Sequence, residues 1–321
     1  MFDSVLEFFN NIPFFKTVFF GIASMVIVGS SWCVVGFVMG NAPKNGIQTD
    51  LVQGISAIFS LLIGFFLLVI FNAWSTSTPM VTFLVCLTLA VAGVLNFIML
   101  QIMSHAMQSG PNGIIWAIVQ SALIFPFIAG VVFYNVQLTL LRLLGVISLL
   151  GALVLFALAK NNTSSGGSRW KIEAFLALAI TGAVQILCNA PAYYQEARGV
   201  SSLLRSLSLV AGTVPTAVLW NLFGTKNSWQ NIKTTLRNKK IWIYIGSLQL
   251  FGIIFSAMLQ HPGMNVMADH GMGGMCYPVM VGSCIISFTL TSIFVLKEKI
   301  RPTQLFALLI CLAGLILICT Y

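Results

Sequence analysis

Asn161-Asn-Thr-Ser-Ser-Gly-Gly-Ser168, a polar run at the midpoint of 321 residues, decides how the fold is read. Short polar side chains and glycines favour turns over helices. On either side the chain is almost continuously apolar. Of all residues 58% are apolar and 7% charged, and the mean hydropathy is +0.97. A soluble domain carries about 25% charged residues. Water-soluble enzymes, disordered chains and nucleic-acid-binding modules are therefore excluded, and lipid is the expected solvent.

Charges mark the connections. A bilayer crossing takes roughly 20 residues. Ten charge-poor stretches of that size lie near 17–40, 51–72, 80–103, 112–133, 138–159, 174–194, 203–224, 241–260, 273–296 and 302–320. No charge lies between Asp50 and Arg142. Divisions there rest on Asn72-Ala-Trp-Ser-Thr-Ser-Thr-Pro79 and Ser104-His-Ala-Met-Gln-Ser-Gly-Pro-Asn-Gly113, both rich in turn-forming residues. Arg142 falls near the start of the fifth span, where a long side chain can snorkel. The apolar runs are continuous rather than alternating, which favours helices over a membrane barrel. The expected fold is an all-α polytopic membrane protein with ten transmembrane helices. Residues 1–160 form the first five-helix repeat, behind an interfacial aromatic arm at 1–16. A polar linker occupies 161–170, and the second repeat occupies 171–321.

The two halves match in order. Asn112-Gly-Ile-Ile-Trp-Ala-Ile-Val-Gln-Ser121 lies over Gly273-Gly-Met-Cys-Tyr-Pro-Val-Met-Val-Gly282, and Leu150-Gly-Ala-Leu-Val-Leu155 over Ala313-Gly-Leu-Ile-Leu-Ile318. Asn41-Ala-Pro43 recurs as Asn189-Ala-Pro191. An odd number of spans per copy inverts the second copy. Inverted repeats are a recurring construction of secondary transporters, and they point to alternating access about a central site.

Twelve of the sixteen basic residues fall in alternate connections, including Lys226, Lys233, Arg237, Lys239 and Lys240 between spans seven and eight. Lys16, Arg142, Arg198 and Arg205 are assigned to the other side. The positive-inside rule then places both termini outside the cytoplasmic (inner) membrane and the 7–8 connection in the cytoplasm. The N-terminus opens with Asp3 and Glu7 rather than a basic region, so no cleavable signal peptide is expected. All seven cysteines fall within spans without a CxxC pair, as reduced thiols rather than disulfides or a metal site.

Phe294-Val-Leu-Lys-Glu-Lys-Ile-Arg-Pro-Thr-Gln304, followed by Cys311-Leu-Ala-Gly-Leu-Ile-Leu317, resembles the ninth-to-tenth helix junction of the drug/metabolite transporter superfamily. The region from Gly93-Val-Leu-Asn96 to Gly113 is also similar. Val295-Leu-Lys-Glu298 and the termini-outside topology lean towards the rhamnose–proton symporter branch rather than the EamA-like branch. The resemblance implies ten helices and transport of a small metabolite. The first half carries Asn135 near the place where its copy has Glu298.

Polar side chains inside lipid face a partner helix or a cavity. Trp116 and Gln120 share a face of the fourth span, and Tyr277 is the aligned aromatic of the ninth. Gln185 and Asn189 share a face of the sixth, at i, i+4. Asn96, Gln101, Gln249 and Gln260 add carboxamides in the third and eighth, and Trp32 an aromatic in the first. Aromatic faces beside amides suit a sugar ring, a small polar solute or a flat cation. Helix packing and interfacial belts are the structural alternatives. His105, His261 and His270 fall in the 3–4 and 8–9 connections as candidates for a proton-linked gate. No acid lies deep in a span, and Glu298 reads as a junction residue. Pro126, Pro215, Pro278 and Gly271–Gly274 mark helix interruptions.

The expected function is secondary active transport of a small organic metabolite, with a sugar-like solute favoured. Export of amino acids or drugs is the alternative, and a membrane enzyme or channel the second. No HExxH, GxSxG or GxxxxGK[ST] is present, so neither catalysis nor ATP hydrolysis is expected. No cofactor or nucleic-acid partner is expected. Coupling to protons or sodium ions is left open, and a monomer and a homodimer are both compatible with the sequence.

Overall fold

The computed structural model describes residues 17–110, 112–159, 169–223, 232–233, 236–249, 255–294 and 302–319. Helices account for nearly all of them, and there is no strand among the described residues. In chain order they are α1 (Val18–Asn41), α2 (Thr49–Ile70), α3 (Pro79–Ser109), α4 (Asn112–Gln120), α5 (Ile124–Tyr134), α6 (Leu140–Ala159), α7 (Arg169–Tyr193), α8 (Ser202–Phe223), α9 (Lys239–Gln249), α10 (His261–Asp269), α11 (Cys276–Phe294) and α12 (Pro302–Cys319). A 3-10 turn at Ser121–Leu123 joins α4 to α5, and a π-helical stretch at Ser256–Gln260 leads into α10.

Local chemistry explains the ends. Thr78 caps α3 by accepting from the Val81 amide, with Pro79 as its first residue. This is where an absent N–H costs nothing. Asn72 and Asn135 adopt left-handed backbone after α2 and α5, with φ of 49° and 51°. Asparagine tolerates that conformation better than most residues. Gly271, at φ 68°, turns the chain after α10. Pro191 and Pro215 sit inside α7 and α8 without breaking them. Pro126 and Pro278 lie in the first turns of α5 and α11. The expected connection after the third span begins later than its composition suggests, because α3 continues through Ser104–Ser109 before turning at Gly110.

Five helices, α1, α2, α3, α7 and α8, are long and apolar enough to cross a membrane. Shorter apolar stretches span Ile118–Tyr134, Leu140–Leu155, Gly273–Ser287 and Leu305–Ile318. Large apolar side chains face outward, among them Phe65, Phe83, Ile172, Phe223 and Ile316. Such a surface is compatible with lipid rather than water. The molecule is thus a helical protein with the surface and helix lengths of a membrane protein.

α3 packs against α7 and α8, α11 against α1, α8 against α2, and α12 against α6. Some crossings bring backbones into contact. A Cβ on Gly93 would stand 1.9 Å from the Leu209 carbonyl oxygen, and one on Gly212 would stand 1.9 Å from that of Ala90. Small residues permit this approach where lipid supplies little hydrophobic driving force between helices.

Candidate functional site

A cavity of about 310 Å³ lies between α1, α2, α3, α4, α7, α8, α9, α11 and the π-helical stretch. Seven of the residues singled out from the sequence line it: Trp32, Asn96, Trp116, Gln120, Gln185, Gln260 and Tyr277. No charged side chain lines it among the described residues. Its polarity comes from carboxamides and hydroxyls, which both donate and accept.

The aromatic wall is built around α1. Trp32 and Tyr277 hold their ring centroids 6.1 Å apart, tilted by 39°. One turn further along α1, Gly36 leaves room for the indole of Trp116, whose ring atoms lie 3.1–3.3 Å from the place a Cβ would occupy. Gln120 is buried on α4 with its side chain at the cavity wall, and Asn96 and Gln260, both half-buried, line the same wall. Gln185 is 3% exposed, and its Oε1 has no hydrogen-bond partner. Four carboxamides on separate helical segments therefore line the cavity, and one of them, Gln185, has a buried oxygen without a partner.

Two other carboxamides singled out from the sequence serve as supports. Gln101 donates through Nε2 to Gln53 Oε1 at 2.8 Å and accepts from the Thr49 hydroxyl at 3.3 Å. Gln249 Nε2 donates to Ser56 Oγ at 2.8 Å, and its Oε1 accepts from Ser60 Oγ at 2.7 Å. Gln53, Ser56 and Ser60 line the cavity themselves. They share one face of α2 and were not singled out from the sequence. Their spacing, with Gln53, Ser56 and Ser60 at helical intervals in an otherwise apolar span, was the available signal.

Asn189 lies outside the cavity lining. Its Nδ2 donates to the Gly273 carbonyl at 3.0 Å and to the Tyr193 hydroxyl at 3.3 Å. The three histidines do not come together. His105 is on the last turns of α3 and pairs with Glu173 at 2.9 Å. His270 bonds to the Val266 carbonyl through Nδ1. His261 begins α10 and is 3% exposed, rather than lying in a solvated connection. Arg205, assigned to a connection by its charge, is 1% exposed within α8, where it donates to Asn265 Oδ1 at 3.0 Å and to the Ala197 carbonyl at 2.6 Å. Arg142 is likewise buried, with Nη1 on the Gln137 carbonyl at 2.9 Å. Glu298, the aromatic arm and the 161–168 linker lie outside the described residues. No cluster of potential metal ligands occurs among the described residues.

No protein family matches the chain, and no curated protein does. Among solved structures, a crystal structure with no functional description superposes with a TM-score of 0.65, over 94% of this chain and 95% of its own, at 12% identity. The likeness shows that the fold is shared along nearly the whole chain.

Proposed function

We propose that the protein is a ten-helix secondary transporter that moves a small organic metabolite by alternating access. Its cavity is the substrate site, and the observation that carries the reading is the make-up of the cavity wall. The lining residues fall into pairs whose spacing is constant within each pair of helices, growing from 149 residues between α1 and α7 to 161 between α4 and α11. Trp32, Val35 and Met39 of α1 answer to Thr181, Val184 and Cys188 of α7. Ser56, Ala57 and Ser60 of α2 answer to Leu209, Val210 and Thr213 of α8. Asn96 answers to Ser256, Leu100 to Gln260, and Trp116 to Tyr277.

The helix contacts follow the same rule. α3 against α7 has its counterpart in α10 and the π-helical stretch against α1. α1 against α11 has its counterpart in α7 against α4 and α5. α2 against α8 and α6 against α12 are their own counterparts. This supports two inverted five-helix repeats with the site between them, as in many secondary transporters.

An uncharged wall of amides, hydroxyls and tilted aromatic rings suits a small polar solute, and a sugar-like one is favoured over an amino acid or a cationic drug. The partial sequence resemblance to the drug/metabolite transporter superfamily supports the same reading. The membrane is the cytoplasmic (inner) membrane, with both termini outside.

The test is a thermal-shift screen of purified protein against sugars, amino acids, nucleosides and cationic drugs. Counterflow of each hit follows in proteoliposomes, with and without a pH gradient. Saturable counterflow is the expected result. Conductance without saturation or counterflow would replace the transporter with a channel.

A further inference from the structure

The cavity is bounded differently at its two ends. Towards α1's C-terminus its wall continues through Met39, Gln53 and Met103. At the other end it stops at Cys188 and Tyr277. Immediately beyond these two residues lies a set of contacts that the substrate site does not use. Asn189 Nδ2 reaches both the Gly273 carbonyl and the Tyr193 hydroxyl. The Tyr193 ring stacks on Tyr134 with centroids 3.8 Å apart and planes 1° from parallel. Gly273 permits this arrangement, since a Cβ there would stand 2.6 Å from the Tyr193 ring.

The connections above are tied as well. The Thr76 amide donates to the Gly199 carbonyl at 2.9 Å, and Arg198 pairs with Asp269.

The seal itself contains a polar atom that has no partner, Asn189 Oδ1, and Arg205 Nε of α8 and His261 Nε2 of α10 are also buried without a hydrogen bond. Buried polar groups in a permanently packed interior are almost always satisfied. Groups that hydrate when a segment opens need not be. The opposite end differs in the same motif. Asn189 of the second Asn-Ala-Pro is held through its side chain, whereas Asn41 of the first accepts from Asn45 Nδ2 at 2.9 Å through its main-chain carbonyl.

Resting on the transporter reading, we infer that Asn189, Tyr193 and Gly273 form a latch that shuts one of two access routes to the cavity. In this structure the Asn189 latch is closed. Opening it requires α7 to part from the turn that precedes α11, which breaks the hydrogen bond from Asn189 to Gly273 and lifts the Tyr193 ring off Gly273. The bond from Asn189 to Tyr193 lies within α7 and orients the carboxamide. Cys276, next to Tyr277 and fully buried, would then meet solvent from that side.

The test is the rate at which N-ethylmaleimide labels Cys276 in the full-length protein in detergent micelles, read by peptide mass mapping. Cys311, buried against Gly282 with its thiol on that residue's carbonyl, is the internal control. Asn189→Ala should speed Cys276 labelling about tenfold, the population shift that loss of the one hydrogen bond across the latch permits. Tyr193→Phe keeps the stacked ring and removes only the hydroxyl, and should give a smaller rise. Asn41→Ala should give none. Unchanged Cys276 labelling in both latch variants overturns the inference, as does a rise shared equally by Cys311. Labelling does not depend on transport. A failed latch with intact counterflow therefore sinks only the latch, and faster labelling without counterflow for any solute sinks only the transporter.

Discussion

Gln101 on α3 donates to Gln53 on α2 at 2.8 Å, and only Gln53 of the two touches the cavity. The pair joins a wall residue to a helix behind it. Removing one partner strands the other in a buried setting, which costs about 1–3 kcal/mol. Gln101→Met should therefore lower the melting temperature. The double variant Gln53→Met, Gln101→Met should recover most of that loss, because both polar groups are gone. Additive losses in a double-mutant cycle would show that the bond does not couple the two helices.

Gln185 offers a change of opposite sign. Its Oε1 is buried without a partner, so Gln185→Met removes an unsatisfied group while keeping the volume. Stability should hold or rise by roughly 1 kcal/mol, while the thermal shift produced by a screening hit should shrink or vanish. An undiminished ligand shift would take Gln185 out of the binding wall.

Trp116→Ala, Tyr277→Ala and Gln120→Ala test the rest of the wall. Each truncated aromatic is expected to lower stability, whereas the Gln120 side chain lies on the cavity wall and its truncation only enlarges that cavity, so its variant should fold normally. All three should weaken counterflow at subsaturating solute. Normal transport in all three folded variants would place the site elsewhere.

Two glycine classes should behave differently. Gly93→Ala and Gly212→Ala drive a methyl group to 1.9 Å from a facing carbonyl oxygen, so they should destabilise the protein by about 1–3 kcal/mol or more, the usual cost of overpacking, or prevent folding. Gly151, in the middle of α6, has nothing within 4 Å of the place where an alanine methyl would stand. Gly151→Ala should be neutral or stabilising by about 1 kcal/mol, from helix propensity alone. Melting curves in detergent distinguish the classes directly.

Much of this was legible in the sequence. The turns at Asn72–Pro79 and Asn135 were written in residues that tolerate unusual backbone or cap helices. The amides and aromatics of the wall stood out because polar groups are rare in apolar spans. What escaped was set by contacts between distant segments. Tyr134 and Tyr193 are ordinary interfacial aromatics until the fold stacks them. Arg205 looked like a loop charge, because nothing local announces that Asn265 and the Ala197 carbonyl will receive its guanidinium in a buried setting. Gln101 and Gln249 were recognisable as buried amides, yet only three-dimensional partners distinguish an amide that supports the wall from one that faces the cavity. His105 carries no local sign of Glu173, the partner from α7 that defines it.

The crossing of α3 and α8 has a mechanical consequence. With Gly93 against Leu209 and Gly212 against Ala90, main chain rests on main chain and no side chain separates the two helices. Sliding either helix along the other would press these carbonyl oxygens against the facing main chain, whereas rotation about the contact would not. The crossing is thereby suited to act as a fulcrum, about which a displacement of one end of α3 is matched by an opposite swing of the other.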